Sequence, residues 1–238
     1  MSIEASDHAA AALEFEPAAV LFDMDGTMIE SEAALLECWR QAAHDLALPL
    51  EDGLWLSMVG LHDSACHDLL RTRLDEEQVQ ALLHTMQALY DVRVDAGLPL
   101  KAGLIALLQR LAAHGMATAV VTSTRRPRAL YKLERAGLLG HFALVVGGDE
   151  VSRPKPAPDI YRLAAQRLGV SAERCVVLED SPAGVRSALA ADMTPIHIPD
   201  LVAPSDEVRA LGHRIVANMD EAHALFAPWL RDEALAAE

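Results

Sequence analysis

Short apolar runs rich in β-branched residues recur along the chain and predict buried strands. Each run is bounded by turn residues or by helix signals, a pattern typical of strands that are covered on both faces of a sheet. The five predicted strands are AAVLF (18–22), ATAVV (117–121), ALVV (143–146), CVVL (175–178) and PIHI (195–198).

Stretches with helical spacing of apolar residues separate most of these strands. GLIALLQRLAAHG (103–115) ends on glycine, and PDIYRLAAQRLG (158–169) begins with proline and ends on glycine, which are common helix start and stop signals. Because strands and helices alternate along the chain, we predict an α/β fold with a doubly wound, Rossmann-like parallel sheet.

The segment 33–98 has a different composition. It is rich in Leu and Ala at helical spacing and poor in β-branched residues, which indicates an all-helical insertion that acts as a cap. We therefore predict a catalytic core formed by 17–32 and 99–230, with the helical cap at 33–98 and flexible ends at 1–16 and 231–238.

Composition narrows the class of protein. A chain of 238 residues with 52% hydrophobic content can bury a large core, and its net charge of −15 argues against a nucleic-acid partner. No stretch approaches the roughly 20 apolar residues of a membrane span, and the opening residues lack the features of a secretion signal. Three widely spaced cysteines without a CxxC pair favour a reducing, cytoplasmic location.

Reactive or phosphate-binding side chains follow three of the five predicted strands. They are Asp23 and Asp25 after the first strand, Thr122, Ser123 and Thr124 after the second, and Glu179 and Asp180 after the fourth. Ligands of open α/β sheets bind at the carboxyl ends of strands, so we expect these side chains to converge in one crevice. Lys155, which follows the third strand, can join them.

This combination predicts phosphoryl transfer assisted by a metal ion. Several carboxylates in one cleft need a cation to stay ionised together, and oxygen ligands without His or Cys favour Mg²⁺. Asp23 and Asp180 are candidate ligands, and Glu179 is a further candidate. Lys155 and the hydroxyl and backbone N–H groups around Thr122 can bind the non-bridging oxygens of a phosphoryl group.

The two aspartates of the first motif suit the two tasks that remain. An oxygen of Asp23 can attack phosphorus and form an aspartyl phosphate. Asp25, two residues further along, can protonate the departing alcohol and then activate water. The expected substrate is a small phosphorylated metabolite.

Four motifs resemble those of the haloacid dehalogenase superfamily in order and spacing. They are FDMDGT (22–27), VVTST (120–124), PKPAPD (154–159) and VVLEDSPAGVRSA (176–188). The chain is most similar to the phosphatase and sugar phosphomutase branch, in which a helical cap follows the first motif. The resemblance implies Mg²⁺-dependent chemistry on a phosphate ester.

The resemblance also implies a role for each matching residue. The family uses a nucleophile, a general acid/base whose backbone carbonyl reaches Mg²⁺, a phosphate-binding hydroxyl, a charge-neutralising lysine and an acidic pair that holds the metal. In this order the matching residues are Asp23, Asp25, Thr122, Lys155, and Glu179 with Asp180.

Three other functions fit these residues less well than phosphatase activity does. Dehalogenation requires neither a second carboxylate nor Mg²⁺, so Asp25 and the acidic pair argue against it. The phosphomutase relatives carry a histidine on the first cap helix, where a gapless count from Asp23 reaches Leu35. This departure disfavours a sugar phosphomutase and leaves it as the alternative. A binding module without catalysis is less favoured, because every expected catalytic side chain is present.

Weaker candidates complete the predicted site. Gly26 and Thr27 belong to the first motif and are counted with the substrate-binding residues. Arg125, in an arginine-rich turn, either grips a second anionic group or belongs to a solvated cluster. For His62 and Asp63, a surface loop between helices is favoured over a position facing the site.

Overall fold

The structure is a computed structural model that describes residues 13–58 and 63–230. Its strands are β1 (Ala19–Phe22), β2 (Ala117–Val121), β3 (Leu144–Val146), β4 (Cys175–Glu179), β5 (Thr194–His197) and β6 (Arg214–Ile215). They form one parallel sheet in the order β3-β2-β1-β4-β5-β6.

The predicted strands agree closely with the observed ones. Each of the five differs from its counterpart by no more than one residue at either end. Strand β6 was not predicted, because two residues at the edge of the sheet are too few for a periodic pattern.

Helices connect the strands throughout. They are α1 (Ser31–Asp45), α2 (Asp52–Met58), α3 (Asp63–Arg71), α4 (Glu76–Ala96), α5 (Leu104–Ala113), α6 (Arg126–Arg135), α7 (Asp159–Leu168), α8 (Pro182–Ala190), α9 (Asp206–Arg209) and α10 (Met219–Leu225). None of them, in the ranges that the structure describes, combines the length and apolar character that a membrane crossing requires.

Side chains of β1 alternate between two hydrophobic cores. Val20 and Phe22 are completely buried in the larger core, which includes residues of α1, α4, α5 and α10. Ala19 and Leu21 are completely buried in the smaller core, against residues of α7 and α8. Both faces of the sheet are therefore covered by helices, which confirms the predicted doubly wound α/β fold.

Helices α1 to α4 form the helical insertion between β1 and β2, where the sequence predicts a cap. Within it, the Trp39 ring of α1 stacks on the Trp55 ring of α2 with centroids 5.9 Å apart. Helix α4 begins with a capping box, because Asp75 and Gln78 each accept a hydrogen bond from the other's backbone N–H. The division of the chain into core and cap domains stays a prediction.

Leu13, inside the predicted flexible segment 1–16, makes contacts with the other end of the chain. It is buried in the larger core. Its N–H donates to Leu225 O (3.2 Å), and its carbonyl accepts from Trp229 Nε1 (3.2 Å). The boundary of the flexible end stays a prediction. Residues 1–12 and 231–238 lie outside the described residues.

Candidate active site

The ends of three adjacent strands are level, and this alignment creates the site. Phe22 is in register with Val120 of β2 on one side and Leu178 of β4 on the other. Asp23 continues the line of β1, and its N–H donates to Leu178 O (2.9 Å). The residues that follow these strands therefore meet at the carboxyl edge of the sheet.

Lys155 links two of the acidic side chains at this edge. Its ammonium group donates to Asp23 Oδ1 (2.6 Å), to Glu179 Oε1 (2.6 Å) and to Val121 O (3.1 Å). The lysine side chain is 5% exposed, and Asp23 and Glu179 are also buried. Sequence motifs that lie more than a hundred residues apart thus share one desolvated ion cluster.

Glu179 is held by protein donors on both carboxylate oxygens. Oε1 accepts from Tyr161 OH (2.8 Å) as well as from Lys155. Oε2 accepts from the backbone N–H (3.1 Å) and the hydroxyl (3.0 Å) of Ser181. Gly184 leaves room for this carboxylate, since a Cβ at that position would lie 1.7 Å from Oε1.

Two residues of the first motif, Gly26 and Thr27, lie against the Asp180 carboxylate. Thr27 Oγ1 donates to Asp180 Oδ1 (3.0 Å). Gly26 has φ of +81°, and a Cβ there would lie 2.2 Å from Asp180 Oδ2. Thr27 is completely buried. Both residues therefore support the Asp180 carboxylate, and their predicted part in substrate binding stays a prediction.

Three carboxylates lie close enough to share one cation. Ligand oxygens of Asp23, Glu179 and Asp180 are all within 4.8 Å of one another. Burial raises the pKa of Asp23 to about 8, although Lys155 opposes the shift. Burial and the Asp23 charge raise the pKa of Asp180 well above its usual value. A hard divalent cation would offset this repulsion, so the donor set fits such an ion.

Asp25 lies outside this carboxylate cluster and has its own partners. Thr124 Oγ1 donates to Asp25 Oδ2 (2.8 Å), and Lys132 Nζ pairs with Asp25 Oδ1. Burial alone would raise the pKa of Asp25, but the Lys132 ammonium and the hydrogen bonds from Lys132, Ser31 and Thr124 together lower it. Because both carboxylate oxygens of Asp25 have protein partners, the predicted contact of Asp25 with a metal falls to its backbone carbonyl.

The turn after β2 presents hydroxyl groups beside Asp25. Thr122 is buried, and its Oγ1 accepts from the N–H of Thr124 (3.1 Å). Ser123 is exposed and lines the cavity. Arg125 is exposed and, among the described residues, is not one of those that line the cavity.

A cavity of about 360 Å³ opens onto these groups. Besides the predicted residues, it is lined by Glu32, by His197 and by the loop of residues 200–205. Burial and the Asp25 charge raise the pKa of Glu32 to about 7. Leu201 and Val202 in the loop are exposed apolar side chains, so the cavity combines a charged floor with a partly apolar rim.

The cap residues that the sequence singled out do not contribute described side chains to the site. His62 lies outside the described residues, and Asp63 begins α3 with a side chain that is also outside them. Leu35, the position at which the phosphomutase relatives carry histidine, packs against the larger hydrophobic core.

Several site residues were missed by the sequence analysis. They are Glu32, Lys132, Tyr161, His197 and the loop 200–205. Lys132 had a detectable signal, because it occupies the buried stripe of α6 together with Ala129 and Leu133. A lysine on an apolar helix face requires a partner, so its position indicates a buried acid. The others gave no comparable pattern.

His197 and His213 form a neutral pair behind Asp180. His197 Nε2 lies 2.8 Å from Asp180 O, which can only accept, so this nitrogen is the donor. His197 Nδ1 is then the acceptor for His213 Nε2 (3.2 Å). His213 Nδ1 is buried and has no hydrogen-bond partner in the described chain. Burial and the neighbouring His197 lower the pKa of His213 to about 4.

This pair predicts a loss of stability in mild acid. An unfolded histidine takes up its proton near pH 6.5, whereas folded His213 does so only near pH 4. The free energy of unfolding should therefore fall as pH drops from about 6.5 towards 4. Urea unfolding across this range should give a flatter pH dependence for His213→Gln than for the wild type. His84→Gln, at an exposed position of α4, is the control, and equal flattening by both variants would contradict the assignment.

Comparison with known proteins agrees with this geometry. Residues 17–192 match the family model of the haloacid dehalogenase-like hydrolases. The chain belongs to the haloacid dehalogenase-like hydrolase family. The matched range contains every residue of the acidic cluster, together with Lys155 and the turn after β2.

Relatives place this hydrolase in the phosphatase branch of the family. Hexitol phosphatase A of Escherichia coli is 34% identical over 192 residues, covering 79% of this chain and 85% of that protein. The probable phosphatase IndB of Dickeya dadantii is 30% identical over 215 residues, covering 87% and 94%. The chain is accordingly a phosphoric monoester hydrolase of the haloacid dehalogenase-like type.

A solved structure shares both the fold and moderate sequence identity. The crystal structure of a putative β-phosphoglucomutase from Thermotoga maritima has a TM-score of 0.76 and 26% identity, covering 89% of this chain and 98% of that chain. The fold is therefore shared with a protein of the phosphomutase branch. The relatives compared above by sequence are phosphatases, and they do not favour the phosphomutase alternative.

Proposed function

We propose that this hydrolase releases phosphate from a small phosphorylated metabolite through an aspartyl phosphate on Asp23, with Mg²⁺ as cofactor. The observation that carries the proposal is the buried Lys155 ammonium, which binds both Asp23 and Glu179 at the floor of the cavity. A hexitol phosphatase among the relatives supports a substrate of sugar or polyol size.

In the first step, an oxygen of Asp23 attacks phosphorus and the bond from phosphorus to the ester oxygen breaks. Asp25 must carry a proton when the substrate is bound; it gives this proton to the ester oxygen, so that the product leaves as an alcohol, and the carboxylate left behind pairs with Lys132. The donors around Thr122 hold the non-bridging oxygens, and the positive charge of Lys155 offsets their negative charge. In the second step, Asp25 takes a proton from water, the water oxygen attacks phosphorus, and the bond to Asp23 breaks.

Asp23 and Asp180 are the proposed carboxylate ligands of Mg²⁺, joined by the backbone carbonyl of Asp25. Glu179 already accepts four hydrogen bonds from protein donors, so we assign it the role of fixing Lys155 beside the metal site. When bound, the ion would neutralise charge on the carboxylates and on the phosphoryl oxygens.

We assign the helical insertion the role of a cap that closes over the cavity. Two of its contacts with α6 are polar pairs at the surface: Asp91 pairs with Arg128, and Asp95 Oδ1 accepts from Tyr131 OH (2.5 Å). A polar contact can separate without exposing apolar surface, which favours opening for substrate entry. Closure would exclude water from the first step.

A phosphate-release screen with Mg²⁺ tests the proposed function. The panel should contain sugar phosphates, polyol phosphates and phosphorylated organic acids, and we expect phosphate from a subset of them. β-Glucose 1-phosphate should be followed with a second readout for isomerised sugar phosphate. Isomerisation that outruns phosphate release would replace the proposal by a phosphomutase, and a folded enzyme that releases no phosphate from any ester would refute it.

A further inference from the structure

Lys132 is a buried cation that the proposed mechanism does not use. Its side chain is 5% exposed and lies on α6, on the same face as the completely buried Ala129 and Leu133. An ammonium group in such surroundings costs free energy unless it is paired and hydrogen-bonded. Lys132 meets both conditions, and both of its partners lie outside α6.

The first partner is the carboxylate of Asp25. Lys132 Nζ pairs with Oδ1, while Thr124 Oγ1 donates to Oδ2 (2.8 Å). The two oxygens of Asp25 are therefore held from two directions, which prevents rotation of the carboxylate about its Cβ–Cγ bond. Each oxygen keeps a second lone pair that can face the cavity.

The second partner is Tyr90 of α4, in the helical insertion. Lys132 Nζ donates to Tyr90 OH (2.9 Å) and lies 5.4 Å from the centre of the tyrosine ring. Tyr90 is 9% exposed, so the whole contact is buried. The ammonium group thus connects the general acid/base of the core with a helix of the insertion.

We propose that Lys132 is a positioning residue that fixes Asp25 for proton transfer to the leaving group, and that Tyr90 in turn fixes Lys132. The inference rests on the proposed function, because it requires Asp25 to be the proton donor. Proton transfer depends strongly on the placement of the donor, and a misplacement of about 1 Å can lower the rate by roughly a hundredfold.

The test compares two substrates that differ in their need for a proton. An alkyl phosphate found in the screen has a poor leaving group and requires general acid catalysis, whereas p-nitrophenyl phosphate has a good leaving group and requires little. For Lys132→Met, we expect kcat/KM for the alkyl phosphate to fall by roughly 10- to 100-fold. For p-nitrophenyl phosphate, the loss should be no more than about fivefold.

Arg128→Met is the matched control. Arg128 also lies on α6 and pairs with Asp91 of α4, but it does not contact Asp25. It should leave the ratio between the two substrates unchanged. A purely structural role of Lys132 would lower kcat/KM equally for both substrates, and this outcome would overturn the proposal while the proposed function stood.

A double substitution identifies the residue through which Lys132 acts. In an Asp25→Asn background, Lys132→Met should change the ratio of alkyl to p-nitrophenyl phosphate activity by less than about twofold, because residues that act as one unit are not additive. A further fall of this ratio by about tenfold or more in this background would contradict action through Asp25. Thermal unfolding of each variant verifies that it is folded.

Tyrosine variants keep the proposal testable if Lys132→Met does not fold. Tyr90→Phe removes the hydroxyl that binds Lys132, and Tyr131→Phe removes a hydroxyl that binds Asp95 at the same α4–α6 contact. Only Tyr90→Phe should lower the ratio of alkyl to p-nitrophenyl phosphate activity, by about threefold. Equal ratios in both variants would overturn the coupling. A wild-type enzyme without phosphatase activity would instead refute the proposed function.

Discussion

Asp23→Asn is expected to abolish phosphate release, with a loss of at least about 10⁴-fold in kcat, because an amide oxygen cannot replace a carboxylate as nucleophile. The substitution keeps the volume of the side chain and its hydrogen-bonding distance from Lys155. Steady-state phosphate release on the best substrate of the screen measures the effect. Acid-quenched wild-type enzyme should carry a phosphoryl group on the peptide that contains Asp23, and mass spectrometry should find none in the variant.

The melting temperature of Asp23→Asn distinguishes loss of the nucleophile from misfolding of the variant. Burial raises the pKa of Asp23 to about 8, so the folded protein favours the protonated acid and ionised Asp23 destabilises it near neutral pH. The melting temperature of metal-free Asp23→Asn should therefore equal or exceed that of the metal-free wild type. Asp52→Asn, at an exposed ion pair with Arg40, is the activity control. Substantial turnover by Asp23→Asn, in a preparation without deamidated protein, would exclude Asp23 as the nucleophile.

Removal of divalent metal is expected to reduce phosphate release below detection. Without a divalent cation, the carboxylates of Asp23, Glu179 and Asp180 have ligand oxygens within 4.8 Å of one another. Within the described part of the chain, Lys155 offsets their charge by binding Asp23 and Glu179. Burial raises the pKa values of Asp23 and Asp180, and the charges of the neighbouring carboxylates raise them further. EDTA treatment followed by dialysis should silence the enzyme, and added Mg²⁺ should restore activity.

Metal binding can also be followed without turnover. A cation that binds only the folded state stabilises it by RT ln(1 + [L]/Kd), where [L] is the free cation concentration, so the melting temperature rises with that concentration. The melting temperature of the wild type should rise with Mg²⁺ concentration, whereas Asp180→Asn should require more Mg²⁺ for the same rise. Asp192→Asn, at an exposed ion pair with Arg162, should behave like the wild type. Full activity after exhaustive chelation, or a melting temperature that does not change with Mg²⁺ concentration, would contradict the proposed Mg²⁺ requirement.

The sequence by itself determined the fold class and most of the chemical groups of the site. Strands buried on both faces leave short continuous apolar runs, and each run ends where polar side chains begin, as in VLFDMD and VVLED. Both features are local in the chain, so they are visible without coordinates. The parallel arrangement then requires that Asp23, Thr122 and Asp180 meet at one edge, as the structure describes.

Only the tertiary structure decided how these groups are paired. Lys132 and Asp25 are separated by 107 positions, and Tyr90 and Lys132 by 42. Such pairings depend on how helices pack across the sheet, and no local pattern encodes them. The same holds for Thr27, which donates to Asp180 from a completely buried position although 153 positions separate the two residues. Local periodicity indicates whether a side chain is buried or exposed. Its hydrogen-bond and ion-pair partners depend on how distant segments of the chain pack together.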